Sequence, residues 1–284
     1  MKETAILINT RDRPSELGLL LQSLRTQTYQ NFDIFVLDDF GGTPLTNFHF
    51  LNCLINLLKM EGHQISFKRT NFPHGVSRAR QEIVNWAKGY ELFCRVDDDV
   101  ILEPEYLNKL RIVLSEGYDL ASGVTVPCSP FIRRDPKYLN GKINRVIIND
   151  EGKLIYNGDD CGMPYIDSIV LPADHFRSCA LYKSVVHDKV NYLPNKLSNH
   201  GFREEQILSF RLIMEGYNIG VDTGALNYHQ MTPSGGERFH NQVDLTQFNQ
   251  KAFEEFTRKN KNKLKKYFNT KIDSEELNKC TNLI

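Results

Sequence analysis

A chain of 284 residues, 40% hydrophobic and 25% charged, has the make-up of a soluble globular protein with room for one large or two small domains. Thirty-five Lys and Arg balance thirty-five Asp and Glu, so no global charge draws it to nucleic acid or an acidic membrane, though a local basic face is left open. No apolar run approaches the ~20 residues of a membrane span, and Met-Lys-Glu-Thr lacks a signal-peptide layout. A cytoplasmic protein is the expectation. The six cysteines (Cys53, Cys94, Cys128, Cys161, Cys179 and Cys280) form no C-x-x-C pair, which argues against a zinc site; several lie in apolar contexts and read as small core residues in a reducing compartment.

Thr4 to Ile8 is a short apolar run, as in a buried strand. Asn9 to Arg13 break it, Pro14 opens a helix, and Leu17, Leu20, Leu21 and Leu24 fall at helical spacing. A second strand, Ile34 to Leu37, ends in Asp38-Asp39. Strand, helix, strand with polar residues after each strand is the pattern of a parallel sheet with a crevice at its carboxyl ends. A helix over 46–60, a brief strand at Ile65–Phe67 and a loop through Gly75 follow. The helix from Val76 to Lys88 buries Val76, Ala79 and Ile83 and is expected to turn Arg78 and Arg80 outward.

Glu91 to Val96 reads as a strand feeding Asp97-Asp98-Asp99, and Pro104 starts a helix to Gly117. Continued as a strand, the triplet would point Asp97 and Asp99 one way and Asp98 the other. Two carboxylates on one side suit a divalent cation carrying phosphates; a solvated acidic turn is the plainer alternative. Residues 119–126 read as a strand, 143–156 as a hairpin with a four-residue turn, and 166–171 as another strand. Arg203 to Gln206 open a helix to Glu215 that Gly216 ends. A strand at 217–221, then Leu226-Asn-Tyr-His229 and a loop, precede an amphipathic helix from Leu245 to about Tyr267, whose polar face is basic.

Six segments in order carry a family resemblance. They are Ile8-Asn-Thr-Arg-Asp-Arg-Pro14, Phe35-Val-Leu-Asp-Asp39, Gly75-Val-Ser-Arg-Ala-Arg80, Val96-Asp-Asp-Asp99, Glu204-Glu205 with Leu208-Ser209 and Arg211-Leu212, and Tyr228-His229. Over about residues 3–230 the chain resembles the nucleotide-sugar-dependent glycosyltransferases of family 2. The resemblance implies the GT-A fold: α/β, with a Rossmann-like, mostly parallel sheet flanked by helices and a smaller antiparallel acceptor-side portion. It implies one domain over 1–240, with a nucleotide-sugar-binding half to 126 and an acceptor half after it, and a C-terminal helical extension over 241–284. Thr10, Arg11, Asp38, Asp39, Arg78, Asp97 and Asp98 are its expected nucleotide-sugar contacts. Asp99, with Asp97 and His229, would hold Mn2+ or Mg2+. The sequence departs from the family pattern at Glu205, where aspartate is usual, at Ile207, and at Phe40-Gly41-Gly42.

The chemistry supports the same roles. A cation on the diphosphate stabilises the departing charge, and the acceptor hydroxyl needs a base. A carboxylate at a helix start is kept ionised by the helix dipole, so Glu205 is the expected base with Glu204 as substitute. Both glutamates could instead just complement the helix terminus. Asp38 or Asp39 would accept a hydrogen bond from a base such as uracil, which favours a UDP-sugar; either could also be a turn residue. Arg11 and Arg78 could meet the diphosphate or pair with the triplet. Phe131, Tyr138 and Tyr165 could line a site for a glycan or other hydroxyl-bearing acceptor, or be core. The basic C-terminal helix could be a peripheral membrane or protein contact; packing through Phe248, Phe253 and Phe256 is preferred. A nucleotidyltransferase is disfavoured because residues 9–15 hold no glycine for a triphosphate loop. A non-catalytic sugar-nucleotide-binding module is the third reading.

Overall fold

The computed structural model describes residues 2–128, 133–135, 141–148, 154–156, 164–190, 197–232, 235–236 and 242–268. The chain opens with β1 (Thr4–Thr10), α1 (Pro14–Arg25), β2 (Phe32–Asp38), α2 (His49–Met60), β3 (Ile65–Arg69), α3 (Val76–Trp86) and β4 (Leu92–Asp97). β1 lies parallel between β2 and β4, and β3 extends the sheet beyond β2. This is the expected strand–helix alternation. β1 is the switch point, flanked by strands from both crossovers, and a crevice opens at its carboxyl end. Register places Asn9 beside Asp97 there.

The second half is β5 (Val100–Leu102), α4 (Tyr106–Ser115), β6 (Leu120–Pro127), β7 (Val146–Ile148), β8 (Leu154–Tyr156), β9 (Val170–Ala173), β10 (Ala180–Lys183), α5 (Ser184–Lys189), α6 (Glu204–Met214), β11 (Ile219–His229) and α7 (Gln242–Leu264). The main sheet runs β3-β2-β1-β4-β10-β6-β11-β5, with β9 on β11. β10 is antiparallel to both neighbours, while β11 is parallel to β6 and antiparallel to β5 and β9. The predicted hairpin is β7–β8, paired Val146 to Tyr156.

Side-chain alternation sorts the core into two layers. Ile6, Ile8, Cys94 and Val96 face α1, α2 and α4; Ala5, Leu7 and Phe93 face α3, α5, α6 and α7. Arg95 and Asp97 share the second face with Phe93, which aims two charged groups at α3 and α6. Cys94 and Cys179 are buried, and Cys53 and Cys128 are exposed; Cys161 and Cys280 lie outside the described residues.

Several expectations are corrected. The strand predicted at 217–221 is part of a longer one: β11 runs on to His229, with a register shift between Val221 and Leu226. The strand predicted at 166–171 is confined to β9. Asp97 ends β4 and Asp98-Asp99 form a turn into β5, so strand alternation does not run through the triplet. Arg80 does not turn outward. It stands 40° round α3 from Val76 and shares that face with Ile83, while Arg78 is exposed on the other side. Phe253 is buried and packs on Phe210 with ring centroids 5.7 Å apart, and Phe256 also meets the core, but Phe248 is exposed. Tyr165 is buried in the core; Phe131 and Tyr138 lie outside the described residues. Among the described residues no helix is long and apolar enough to cross a membrane.

Gly123 on β6 marks where β11 bulges. A Cβ there would drive into the Ala225 carbonyl and come 2.7 Å from the Tyr106 ring. Backbone and a fully buried tyrosine cannot yield cheaply. Gly123→Ala is expected to cost about 3 kcal/mol, read from the midpoint shift in urea unfolding; a loss within experimental error would show that β11 can relax away from β6.

Candidate active site

The crevice at the β1–β4 ends is an open cleft of about 400 Å3. Thr10 and Arg11 line it from the end of β1, Asp39 from the end of β2, and Asp97, Asp98 and Asp99 from the β4–β5 turn. Glu204 and Glu205 line it from the start of α6, and His229 from the end of β11. Nine of the predicted site residues therefore meet in one place. Asp38 and Arg78 do not. Asp38 is buried outside the lining, accepting from the Gly41 N–H at 3.1 Å with Arg69 Nη1 at 3.3 Å.

Asp39 is held rigidly. Its Oδ1 accepts from the His74 N–H (2.8 Å) and the Thr70 hydroxyl (3.1 Å), and its Oδ2 from the Gly75 N–H (2.9 Å). These bonds fold the 70–75 loop back over the β2 end. Gly75 is in the left-handed region at φ 77°, and a Cβ on it would come 2.6 Å from Asn199 Cα. Asn199 in turn accepts from the Val76 N–H at 2.9 Å. The cleft's two walls, residues 75–76 and 199–203, are thus pressed together backbone to backbone.

The acidic turn divides between two sets of cations. Arg13 Nη1 lies 2.9 Å from Asp98 Oδ1 and 3.0 Å from Asp99 Oδ2, and His229 Nε2 lies 3.1 Å from that same Asp99 oxygen. Asp97 turns the other way, with Oδ1 2.7 Å from Arg80 Nη2 and Oδ2 accepting from the Ser178 hydroxyl at 2.7 Å. Burial pushes Asp98 up to about 6, against the pull of Arg13. Burial would lower the Arg13 guanidinium, but Asp98 and Asp99 outweigh it and raise it.

The two glutamates differ in setting. Glu204 is buried and takes both Arg80 Nη1 and Arg95 Nη1, the latter at 2.8 Å. Glu205 keeps a quarter of its side chain exposed and meets Arg95 Nη2 at 3.2 Å. Burial raises both, and the charge of Glu204 adds to the rise of Glu205, to about 7. Arg203, just before α6, adopts φ 75°. It donates to Gln250 of α7 at 2.9 Å, and its guanidinium lies over the Phe253 ring.

Sequence reasoning missed Arg13, Arg95 and Ser178. It named Arg80 but faced it away. For Arg80 the helical angle to Val76 and Ile83 was signal enough. Arg95 could have been found from its place two residues before Asp97, on the same strand face. Arg13 and Ser178 reach the turn from 85 and 81 positions away, and nothing local marks them.

Among the described residues no group of three His, Cys, Asp or Glu is arranged to hold a metal ion. A smaller donor set is present. Asp99 Oδ2 is buried and lies between Arg13 Nη1 at 3.0 Å and the His229 imidazole at 3.1 Å, with no described residue in hydrogen-bonding geometry to it.

A helix-covered mixed sheet with an acidic turn at its parallel switch point is the architecture of the GT-A glycosyltransferases, and solved members share it. The similar structures include GalNAc-T7 with UDP, GalNAc and Mn2+ (TM-score 0.66, 12% identity, 90% of this chain and 50% of that one). They also include S. aureus TarS 1–349 in complex with UDP-GlcNAc (0.59, 13%, 90% and 66%) and S. aureus TarS (0.59, 14%, 99% and 42%). The chain thus spans less than two thirds of the length of each. By sequence it matches the glycosyl transferase family 2 model over residues 5–170, more than half its length, and it belongs to that family. No curated protein matches it by sequence.

Proposed function

We propose that the chain is an inverting, metal-dependent glycosyltransferase that moves a sugar from a nucleoside-diphosphate sugar, preferably UDP-linked, to an acceptor hydroxyl. The observation that carries this reading is that Asp99 and Glu205 face one cleft from opposite elements, the β4–β5 turn and the α6 start. One is suited to the leaving group and the other to the nucleophile.

Asp99 and His229 would hold Mn2+ or Mg2+, an oxygen and an imidazole nitrogen that suit manganese best, with the remaining positions open to phosphate oxygens and water. When bound, the ion stabilises charge building on the diphosphate. Asp97 is left to orient the site, because both its oxygens are engaged by Arg80 and Ser178. Asp39 Oδ2 accepts one bond, from the Gly75 N–H, and has capacity for a second from an imide N–H of the base, which favours uracil. Thr10 and Arg11 line the cleft from the end of β1, which supports a role for them in contacting the ribose and phosphates. Glu205 receives the acceptor proton, and its position across the cleft from the acidic turn supports inversion. Arg258, Lys259, Lys263, Lys265 and Lys266 are exposed together at the end of α7 and suit a peripheral contact with an anionic membrane or protein surface.

A thermal-shift series with nucleotide sugars, run with and without Mn2+, tests the reading. A UDP-sugar at about a hundred times its Kd is expected to add about 2.7 kcal/mol, a rise of a few degrees in Tm, with Mn2+ present. Absence of any shift with every nucleotide sugar at millimolar concentration would sink it. A shift without turnover on any acceptor would favour the non-catalytic module.

A further inference from the structure

Arg13 is unusual in where its charge sits. It precedes Pro14, the first residue of α1, and reaches across the end of the sheet to the acidic turn. There one guanidinium nitrogen bridges Asp98 Oδ1 and Asp99 Oδ2 at 2.9 and 3.0 Å. The second of these oxygens is the one beside His229. The arginine is also clamped. Gly235 and Gly236, at φ 76° and 64°, lie over its side chain: a Cβ on Gly235 would come 2.6 Å from Arg13 Cγ, and one on Gly236 3.2 Å from Cζ. The Gly236 N–H donates to the Arg11 carbonyl at 2.7 Å, which fastens this cover to the β1 end. The Gln230 N–H donates to the Asp99 carbonyl at 2.8 Å, which fixes the turn from the β11 side. Arg13 therefore has little room to swing away when another cation arrives.

We propose that Arg13 is the standing counter-charge of the acidic turn. It keeps the adjacent carboxylates Asp98 and Asp99 together in the empty protein, where they would otherwise repel. It also holds down the protein's own affinity for a divalent ion, since a fixed positive charge shares the Asp99 oxygen. The two negative groups of a diphosphate offset that charge, so the ion enters chiefly with the nucleotide. Arg13 is a positioning residue in this scheme and touches no reacting atom. The inference rests on reading Asp99 and His229 as the cation site.

The test is Mn2+ binding to the full chain, followed by the electron paramagnetic resonance of the free ion, for wild type and Arg13→Met, with and without UDP. Methionine fills much of the space under the two glycines without the charge. Arg13→Met is expected to bind Mn2+ alone at least about fivefold tighter than wild type, because a like charge a few ångströms from the ion has gone. UDP should then enhance Mn2+ binding less in the variant than in wild type. Equal or weaker binding by the variant, with UDP-assisted binding intact in both, overturns the role of Arg13 alone. Absence of Mn2+ binding by both proteins even with UDP overturns the cation site itself, and this inference with it. In EDTA the variant should melt below wild type and gain more from added Mn2+. Should it be unfolded in EDTA at room temperature, millimolar Mn2+ is expected to restore its near-ultraviolet circular dichroism; failure to restore it counts against the proposal.

Discussion

Asp99→Ala is expected to lower turnover of a nucleotide sugar by about a thousandfold or more, with little change in the folded structure. The magnitude follows from the chemistry. Removing one preorganised group that stabilises developing charge costs about a hundred- to a thousandfold, and a lost cation ligand removes more than one hydrogen bond's worth of charge stabilisation. The fold should survive because Arg13 keeps Asp98 as a partner and β4 and β5 are anchored by their ladders. Asp99→Asn is the companion variant, since it keeps shape and removes charge. UDP release in single-turnover assays measures both, with urea midpoints as the control. A rate within about tenfold of wild type would leave the acidic turn with no part in the chemistry.

Glu205→Gln and Glu204→Gln are expected to fail in different ways. Glu205 is partly exposed in the cleft and has one guanidinium beside it, so its loss should cut kcat by about a hundred- to ten-thousandfold with KM nearly unchanged, and with stability nearly unchanged below about pH 5 where the wild-type carboxyl is also neutral. Glu204 is buried between Arg80 and Arg95. Neutralising it removes the carboxylate that both guanidiniums share, leaving Asp97 to balance Arg80 and Glu205 to balance Arg95, and is expected to cost about 3 kcal/mol of stability. The pH profile adds a sign. The folded protein holds Glu205 above its ordinary 4.5, at about 7, chiefly through burial. A base works only when ionised, so the wild-type rate should climb as pH rises through about 7 and then level off. Stability runs the other way: a carboxyl raised on folding contributes most below its unfolded value, and that contribution is lost as pH rises from about 4.5 to 7. Glu205→Gln should flatten both curves. If Glu204→Gln loses rate without losing stability, the two roles are exchanged.

How much of this was legible beforehand depends on the range of the interaction. β1, α1 and β2 were readable because apolar periodicity and Pro14 are local signals. The cleft residues were readable where a strand or helix end exposes polar groups, as at Asp39, Asp97 and Glu204. Arg80 is misplaced by equating charge with exposure, although its angle on α3 is readable from the sequence. The turn at Asp98 was not legible: three aspartates continue a strand pattern as well as they break one, and it is Arg13 that draws two of them to one side. β10 was invisible for a related reason. Ala180–Lys183 is short, buried and without alternation, and only its place between β4 and β6 makes it a strand. Phe248 shows the reverse error, an apolar residue on a helix that does not reach the core.

The Arg203 bond to Gln250 bears on how the molecule can be handled. Asn249 is fully buried and takes the Ser198 N–H at 2.7 Å, so the segment leading into Glu204 and Glu205 is strung from a helix more than forty positions downstream. Trimming the protein after residue 240 to obtain a tidier sample would cut those moorings and strip Phe253 from Phe210. Enzymology on such a shortened form would measure a slackened pocket, so a null result from it would say nothing about the intact chain.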